Sequence, residues 1–204
     1  MLDKSLPYFD VVMCLPEGTT LPETPPLPEG YAYTLYAPGD EAGWCATEAA
    51  VDEFDDEAQA MEYFRVEFAP HPKELPRRMV FIRDPQGVPV ANAAAWWRMD
   101  EARGRVPMLH WVAVKPSQQG LGLGRAVTLK ALSRFADTKD KGDIWLTTQT
   151  WSHVAIDLYV DIGFRAHKTA IIAKHKNGFA GAAKVLEGVM RPKTYAKMMY
   201  TALQ

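Results

Sequence analysis

Residues 114–125 read VKPSQQGLGLGR, with Gly120, Gly122 and Gly124 on alternate positions between an apolar run and an amphipathic one. The run before it, MLHWVAV (108–114), has the composition of a strand. The run after it, RAVTLKALSRFADTK (125–139), places Val127, Ala131, Leu132, Phe135 and Ala136 on one helical face. A glycine-rich strand-to-helix junction gathers bare backbone N–H groups where the helix dipole is positive, and such a place binds phosphate. Glycine matters there because a Cβ would hold the ligand off the amides, and because positions in such a nest can require φ above zero. Two phosphate loops fail on spacing. GxxxxGK[ST] needs a Lys and a hydroxyl after its last glycine, where Arg125 and Ala126 stand. The dinucleotide fingerprint GxGxxG needs a third glycine at position 125 and an early βαβ unit. A plain hinge fits the strand-to-helix context poorly.

Outward from this junction the pattern is that of a single sheet with helices packed on it. YAYTLY (31–36) alternates like a strand, EAGWCATEAAVDEF (41–54) is helical with Asp40 as its N-cap, and DDEAQAMEYFRVEFA (55–69) is a second helix stopped by Pro70 and Pro72. MVFIRD (79–84) and VPVANAAAWWRM (88–99), joined by Pro85, Gln86 and Gly87, predict an antiparallel hairpin. DIWLTTQT (143–150) is another strand, and Ala155, Leu158, Tyr159 and Ile162 keep helical spacing up to Gly163. A last strand is expected from Phe164. The order predicts an α/β or α+β mixed sheet.

The chain has 204 residues, 48% of them hydrophobic and 24% charged, with net charge −2. That suits one globular domain and offers no basic surplus for nucleic acid. The start, MLDKSLPYFDVVMCLPEG, lacks the apolar core of a signal peptide, and no run approaches the ~20 apolar residues of a membrane span, so the expectation is a cytoplasmic protein with no membrane partner. Cys14 and Cys45, without CxxC spacing or a His cluster, read as buried reduced thiols with no metal site. Six prolines in residues 1–30 predict an irregular arm laid over the domain, with residues 31–204 forming the domain itself.

Gln119-Gly120-Leu121-Gly122-Leu123-Gly124 resembles the [Arg/Gln]-x-x-Gly-x-[Gly/Ala] pyrophosphate motif of the GNAT acetyltransferase superfamily. The strand ending Val112, Ala113 and Val114 resembles that family's fourth strand. A second patch, WSHVAIDLYVDIGF (151–164), resembles its N-x-x-A-x-x-L-Y-x-x-x-G-F segment at Ala155, Leu158, Tyr159, Gly163 and Phe164, departing at Ser152 where Asn is usual. The two patches fall in the family's order, with a helix and a strand between them. The resemblance covers residues 31–164.

The resemblance implies a mixed, mainly antiparallel sheet with helices on both faces, whose fourth and fifth strands splay to admit acetyl-coenzyme A. The pyrophosphate would lie on the amides from Gly120 to Arg125, and the pantetheine arm would pair with the edge of Val112–Val114. A backbone N–H near Val112 would polarise the thioester carbonyl. Tyr159 would protonate the leaving thiolate, or else is a core tyrosine; a thiol pKa of about 8.5 against about 10 for a phenol makes the proton helpful without being obligatory. His110, on the face of Val112 and Val114 if the strand is regular, either takes a proton from the amine or is a hydrogen-bonded histidine of the sheet edge; a bulge would rotate it away. Ser152 either contacts pantetheine or caps the following helix.

The acceptor side is less legible. Trp44, Trp96 and Trp97 line a pocket or pack the core, and the acidic run of residues 52–57 attracts a cation or is a solvated helix face. GAAKVLEGVM (181–190) is a short helix, an insertion near the acceptor or a homodimer contact, and TYAKMMYTAL (194–203) reads as a terminal strand or a helix; the resemblance implies the strand, in a hairpin with FRAHKTAII (164–172). The leading expectation is acetyl transfer from coenzyme A to a primary amine of a small molecule or a protein. Its alternatives are an acyl-coenzyme A binding domain without turnover and an O-acyltransferase.

Overall fold

The computed structural model describes residues 2–138 and 140–204; Met1 of the expected arm and Lys139 of the expected helix lie outside the described residues. The elements run β1 (Asp10–Leu15), β2 (Ala32–Leu35), α1 (Glu41–Ala50), α2 (Glu57–Glu67), α3 (Leu75–Arg78), β3 (Met79–Arg83), β4 (Pro89–Asp100), β5 (Gly104–Val114), α4 (Leu123–Arg134), β6 (Ile144–Gln149), α5 (His153–Ile162), β7 (Arg165–Ala166), α6 (Phe179–Leu186) and α7 (Pro192–Thr201). The strands form one mixed sheet in the order β2-β3-β4-β5-β6-β1-β7, as the α/β reading expects. The pairs β1/β6, β1/β7, β2/β3 and β3/β4 are antiparallel, and β5 pairs with β6 in parallel at Met108 and Trp145. No helix among the described residues is long and apolar enough to cross a membrane.

The chain divides into two units, one of residues 23–96 and 109–138, the other of residues 2–22, 97–108 and 140–204. In the first, α1 and α2 are joined by rings. Trp44, fully buried, meets Phe54, Tyr63, Phe64, Phe68 and Trp111 at centroid distances of 5.4 to 6.2 Å, so it packs the core. Asp56 caps α2 by accepting from the Gln59 N–H at 2.8 Å, while Gln59 Oε1 accepts from the Asp55 N–H. The acidic run is thus largely the capped start of a helix. Asp40 stands at the N-cap position of α1 without making a side-chain cap; its carboxylate accepts from the Ala37 N–H and pairs with Arg83 at 2.6 Å. The hairpin of β3 and β4 closes as expected, with Asp84 Oδ1 accepting from the Gln86 and Val88 amides. Of the paired tryptophans Trp96 is buried and Trp97 half-exposed, as strand alternation requires.

In the second unit the structure overturns two expectations. The N-terminal arm is not irregular throughout: Asp10–Leu15 is a strand lying between β6 and β7, with Val11, Val12, Met13 and Cys14 entirely out of water. Pro7 and Pro16 bracket this run and none falls inside it, so all its N–H groups are free to donate to the ladder. Residues 194–203 are not a strand. Pro192 starts α7 at a position where its missing N–H costs nothing, and Thr194 and Met198 bury one helical stripe. The expected hairpin with residues 164–172 therefore gives way to the two-residue β7 and a single parallel bridge between His167 and Leu203. The short helix expected over 181–190 is present as α6.

Candidate functional site

The glycine loop lies at the end of β5 in the first unit. After Val114 the chain makes a short 3-10 turn at Pro116–Gln118, and Gly120 and Gly122 then take φ of +82° and +77°. A side chain at either would meet nothing within 4 Å, so it is the left-handed backbone and not crowding that calls for glycine. Gly122 is the N-cap of α4, and the first bond of that helix runs from the Ala126 N–H to the Gly122 carbonyl at 3.1 Å. The N–H groups of Leu123, Gly124 and Arg125 are therefore at the open end of the helix. Leu121 is exposed, Leu123 buried, and Arg125 half-buried. Gln119 donates from Nε2 to the Val114 carbonyl at 3.0 Å, and the Tyr31 hydroxyl donates to Gln118 at 2.5 Å, so the strand-side end of the loop is tied down. An exposed nest of amides over a helix start, kept clear of side chains, fits a pyrophosphate.

The strand leading to this loop is irregular. Trp111 has φ of +50°, a left-handed conformation that costs a non-glycine residue about 1–2 kcal/mol and bends the strand. The expected common face of His110, Val112 and Val114 does not hold, because strict alternation is broken at the residue between His110 and Val112. His110, half-buried, has Nε2 3.4 Å from the Tyr63 hydroxyl, and the Trp111 indole N–H donates to the same hydroxyl at 3.2 Å. Val112 and Val114 are half-exposed and Ala113 is buried.

Three residues here were not singled out in the sequence: Tyr63, Glu48 and Asn92. Asn92 is fully buried and donates from Nδ2 both to Glu48 Oε1 at 2.6 Å and to the Trp111 carbonyl at 2.9 Å. Burial pushes the Glu48 carboxyl up to about 8, with a smaller push from Glu53, against the lowering effect of its hydrogen bond from Asn92. The signal was present: Asn92 interrupts the apolar run VPVANAAAWW, and Glu48 sits one turn from Trp44 on the buried side of α1.

The second unit holds the other two residues. Tyr159 is 7% exposed on α5 and packs on Phe164 at 5.7 Å. The helix ends at Gly163, φ +126°, whose N–H donates to the Tyr159 carbonyl. Ser152 occupies the N-cap position of α5 but makes no side-chain cap bond, and His153 is half-buried. Among the described residues no group of three His, Cys, Asp or Glu side chains is placed to hold a metal.

Comparison with known proteins agrees with this geometry. Residues 43–164 match the Acetyltransferase (GNAT) family. The mycothiol acetyltransferase of Streptomyces coelicolor is 28% identical over 169 residues, covering 76% of this chain and 49% of that protein. That of Actinosynnema mirum is 31% identical over 153 residues, covering 74% and 50%. The chain thus spans about half the length of the curated relatives it matches. A GCN5-related N-acetyltransferase from Sphaerobacter thermophilus shares the fold with TM-score 0.57 at 19% identity, covering 78% of this chain and 49% of that one. With the glycine nest opening α4, the bent strand before it and a family match over more than half of its length, the chain belongs to the GNAT acetyltransferase family.

Proposed function

We propose that the protein transfers an acetyl group from acetyl-coenzyme A to a primary amine, by direct attack with both substrates bound. The observation that carries this is the pair of left-handed glycines at the start of α4, an amide nest open to a ligand, in a chain of this family. In this reading the N–H groups from Gly120 to Arg125, among them those of Leu121, Gly122, Leu123 and Gly124, hold the pyrophosphate. Gln119 holds the loop to the strand, and Val112, Ala113 and Val114 offer their backbone to pantetheine. The Val112 N–H polarises the thioester carbonyl as negative charge develops on its oxygen.

Two proton carriers complete the reading. Tyr159 donates to the departing thiolate. His110, beside the Tyr63 hydroxyl, accepts the proton that the amine loses. Ser152 would touch the pantetheine arm; its hydroxyl is not used to cap α5, which favours that role over capping. The mycothiol acetyltransferases support a small-molecule amine as the acceptor, and their own acceptor heads the panel of amines to be tried. The experiment is thermal unfolding with acetyl-coenzyme A. A rise in Tm that continues with the logarithm of ligand concentration supports the reading, and an unchanged Tm with every acyl-coenzyme A defeats it. Such stabilisation without turnover on any amine would instead identify a binding domain.

A further inference from the structure

The left-handed Trp111 is held from several directions. Its indole N–H donates to Tyr63, its ring stacks on Phe54 at 5.2 Å, and its carbonyl accepts from the Asn92 side chain of the neighbouring strand β4 at 2.9 Å. A strand carbonyl is ordinarily served by a backbone N–H of the ladder; here a buried amide side chain also donates to it. Asn92 is itself seated by Glu48 of α1, at 2.6 Å, with Glu48 1% exposed.

The peptide joining Trp111 to Val112 is trans, as no cis bond occurs among the described residues, so the Trp111 carbonyl and the Val112 N–H point in opposite directions across one plane. Whatever fixes the carbonyl fixes the N–H. We propose that Asn92, seated by Glu48, is a positioning residue for acyl transfer: by drawing the Trp111 carbonyl toward β4, it turns the Val112 N–H to the opposite side of β5, where the thioester carbonyl is polarised. This rests on the acetyl-transfer reading above. Neither side chain touches the reacting atoms. Their effect is to hold one donor in place before the charge develops, so that little reorganisation is left to the reaction itself.

The test compares Glu48→Leu, Glu48→Gln and Asn92→Leu with the unaltered protein, reading kcat for thiol release and the affinity for coenzyme A separately. Glu48→Leu takes the acceptor from one of the buried Asn92 amide hydrogens, so some loss of Tm is expected and the assays are run well below the Tm of the variant. Its expected signature is a kcat lowered about 10-fold in the folded protein with coenzyme A affinity within about 3-fold. Glu48→Gln, which keeps an oxygen for Asn92, restores most of that rate. Asn92→Leu, where folded, lowers kcat about 100-fold with the same spared affinity. A Glu48→Leu protein with unchanged kcat overturns the proposal while leaving acetyl transfer intact. Absence of turnover in the unaltered protein on every amine removes the acetyl-transfer reading, and this one with it.

Discussion

Glu48 Oε1 accepts a 2.6 Å hydrogen bond from Asn92 Nδ2, and both side chains are shut off from water. A carboxyl so placed resists ionisation, and its pKa stands at about 8 against an ordinary 4.5. Because the folded pKa is the higher one, the folded state binds the extra proton between these values. Stability contributed by Glu48 is full below pH 4.5 and is lost as pH rises to about 8. Replacing Glu48 by Gln removes that loss. The unaltered protein is expected to weaken relative to Glu48→Gln by up to about 1.4 kcal/mol per pH unit across this window. Denaturant unfolding at pH 5, 6.5 and 8 checks it; a constant difference at all three would show that Glu48 ionises freely.

Val12 lies in the strand Asp10–Leu15, between β6 and β7, and is fully buried. Val12→Asp places an unpaired carboxylate in the core and should cost several kcal/mol. Val66→Asp, at a position 70% exposed, should stay within about 0.5 kcal/mol of the unaltered protein. Similar unfolding midpoints for the two would deny β1 its place in the sheet.

How the sequence carried the fold is clearest at that strand and at α7. The periodicities of α2, α4 and α5, the turn at residues 85–87 and the glycine junction are local signals, and each corresponds to an element of the structure. The proline density of residues 1–30 is an average that hides an eight-residue gap over 8–15, and the strand in that gap pairs with strands far along the chain. At residues 194–203 the resemblance implies a strand, but the helix-forming Ala, Lys and Met residues and the i, i+4 spacing of Thr194 and Met198 decide for a helix. In the site, the glycine nest was legible because a left-handed backbone leaves glycines in the sequence. The bend at Trp111 was not, because a tryptophan is held there by tertiary bonds to Asn92 and Tyr63.

Gly122 and Gly104 both have left-handed backbones, φ +77° and +72°, with open space where a Cβ would lie. Alanine at either should cost about 1 kcal/mol of stability. Only Gly122→Ala should weaken coenzyme A, by about 5-fold or more in titration calorimetry, because only Gly122 belongs to the proposed nest. Equal affinities in the two variants would remove the loop from the coenzyme site.

Tyr159 is buried against Phe164, a position that suits a core ring as well as a proton donor. Tyr159→Phe keeps the ring and removes the hydroxyl. Turnover is expected to fall at least 10-fold with coenzyme A affinity within about 3-fold. An unchanged kcat would return Tyr159 to a packing role.

Cys14 and Cys45 are buried, and that burial pushes both thiols up to about 11, so the folded protein contributes almost no thiolate to a colorimetric thiol assay near pH 7.5. Release of coenzyme A from acetyl-coenzyme A, followed over a panel of primary amines with amine-free and protein-free controls, by thiol colour or, for an amine that carries its own thiol, by chromatography, is therefore the most direct measurement. Acetyl transfer predicts release that depends on one or more of the amines, saturates in both substrates and is matched mole for mole by an acetylated amine in the mass spectrum. Saturable coenzyme binding with no amine-dependent thiol release across the panel would contradict it.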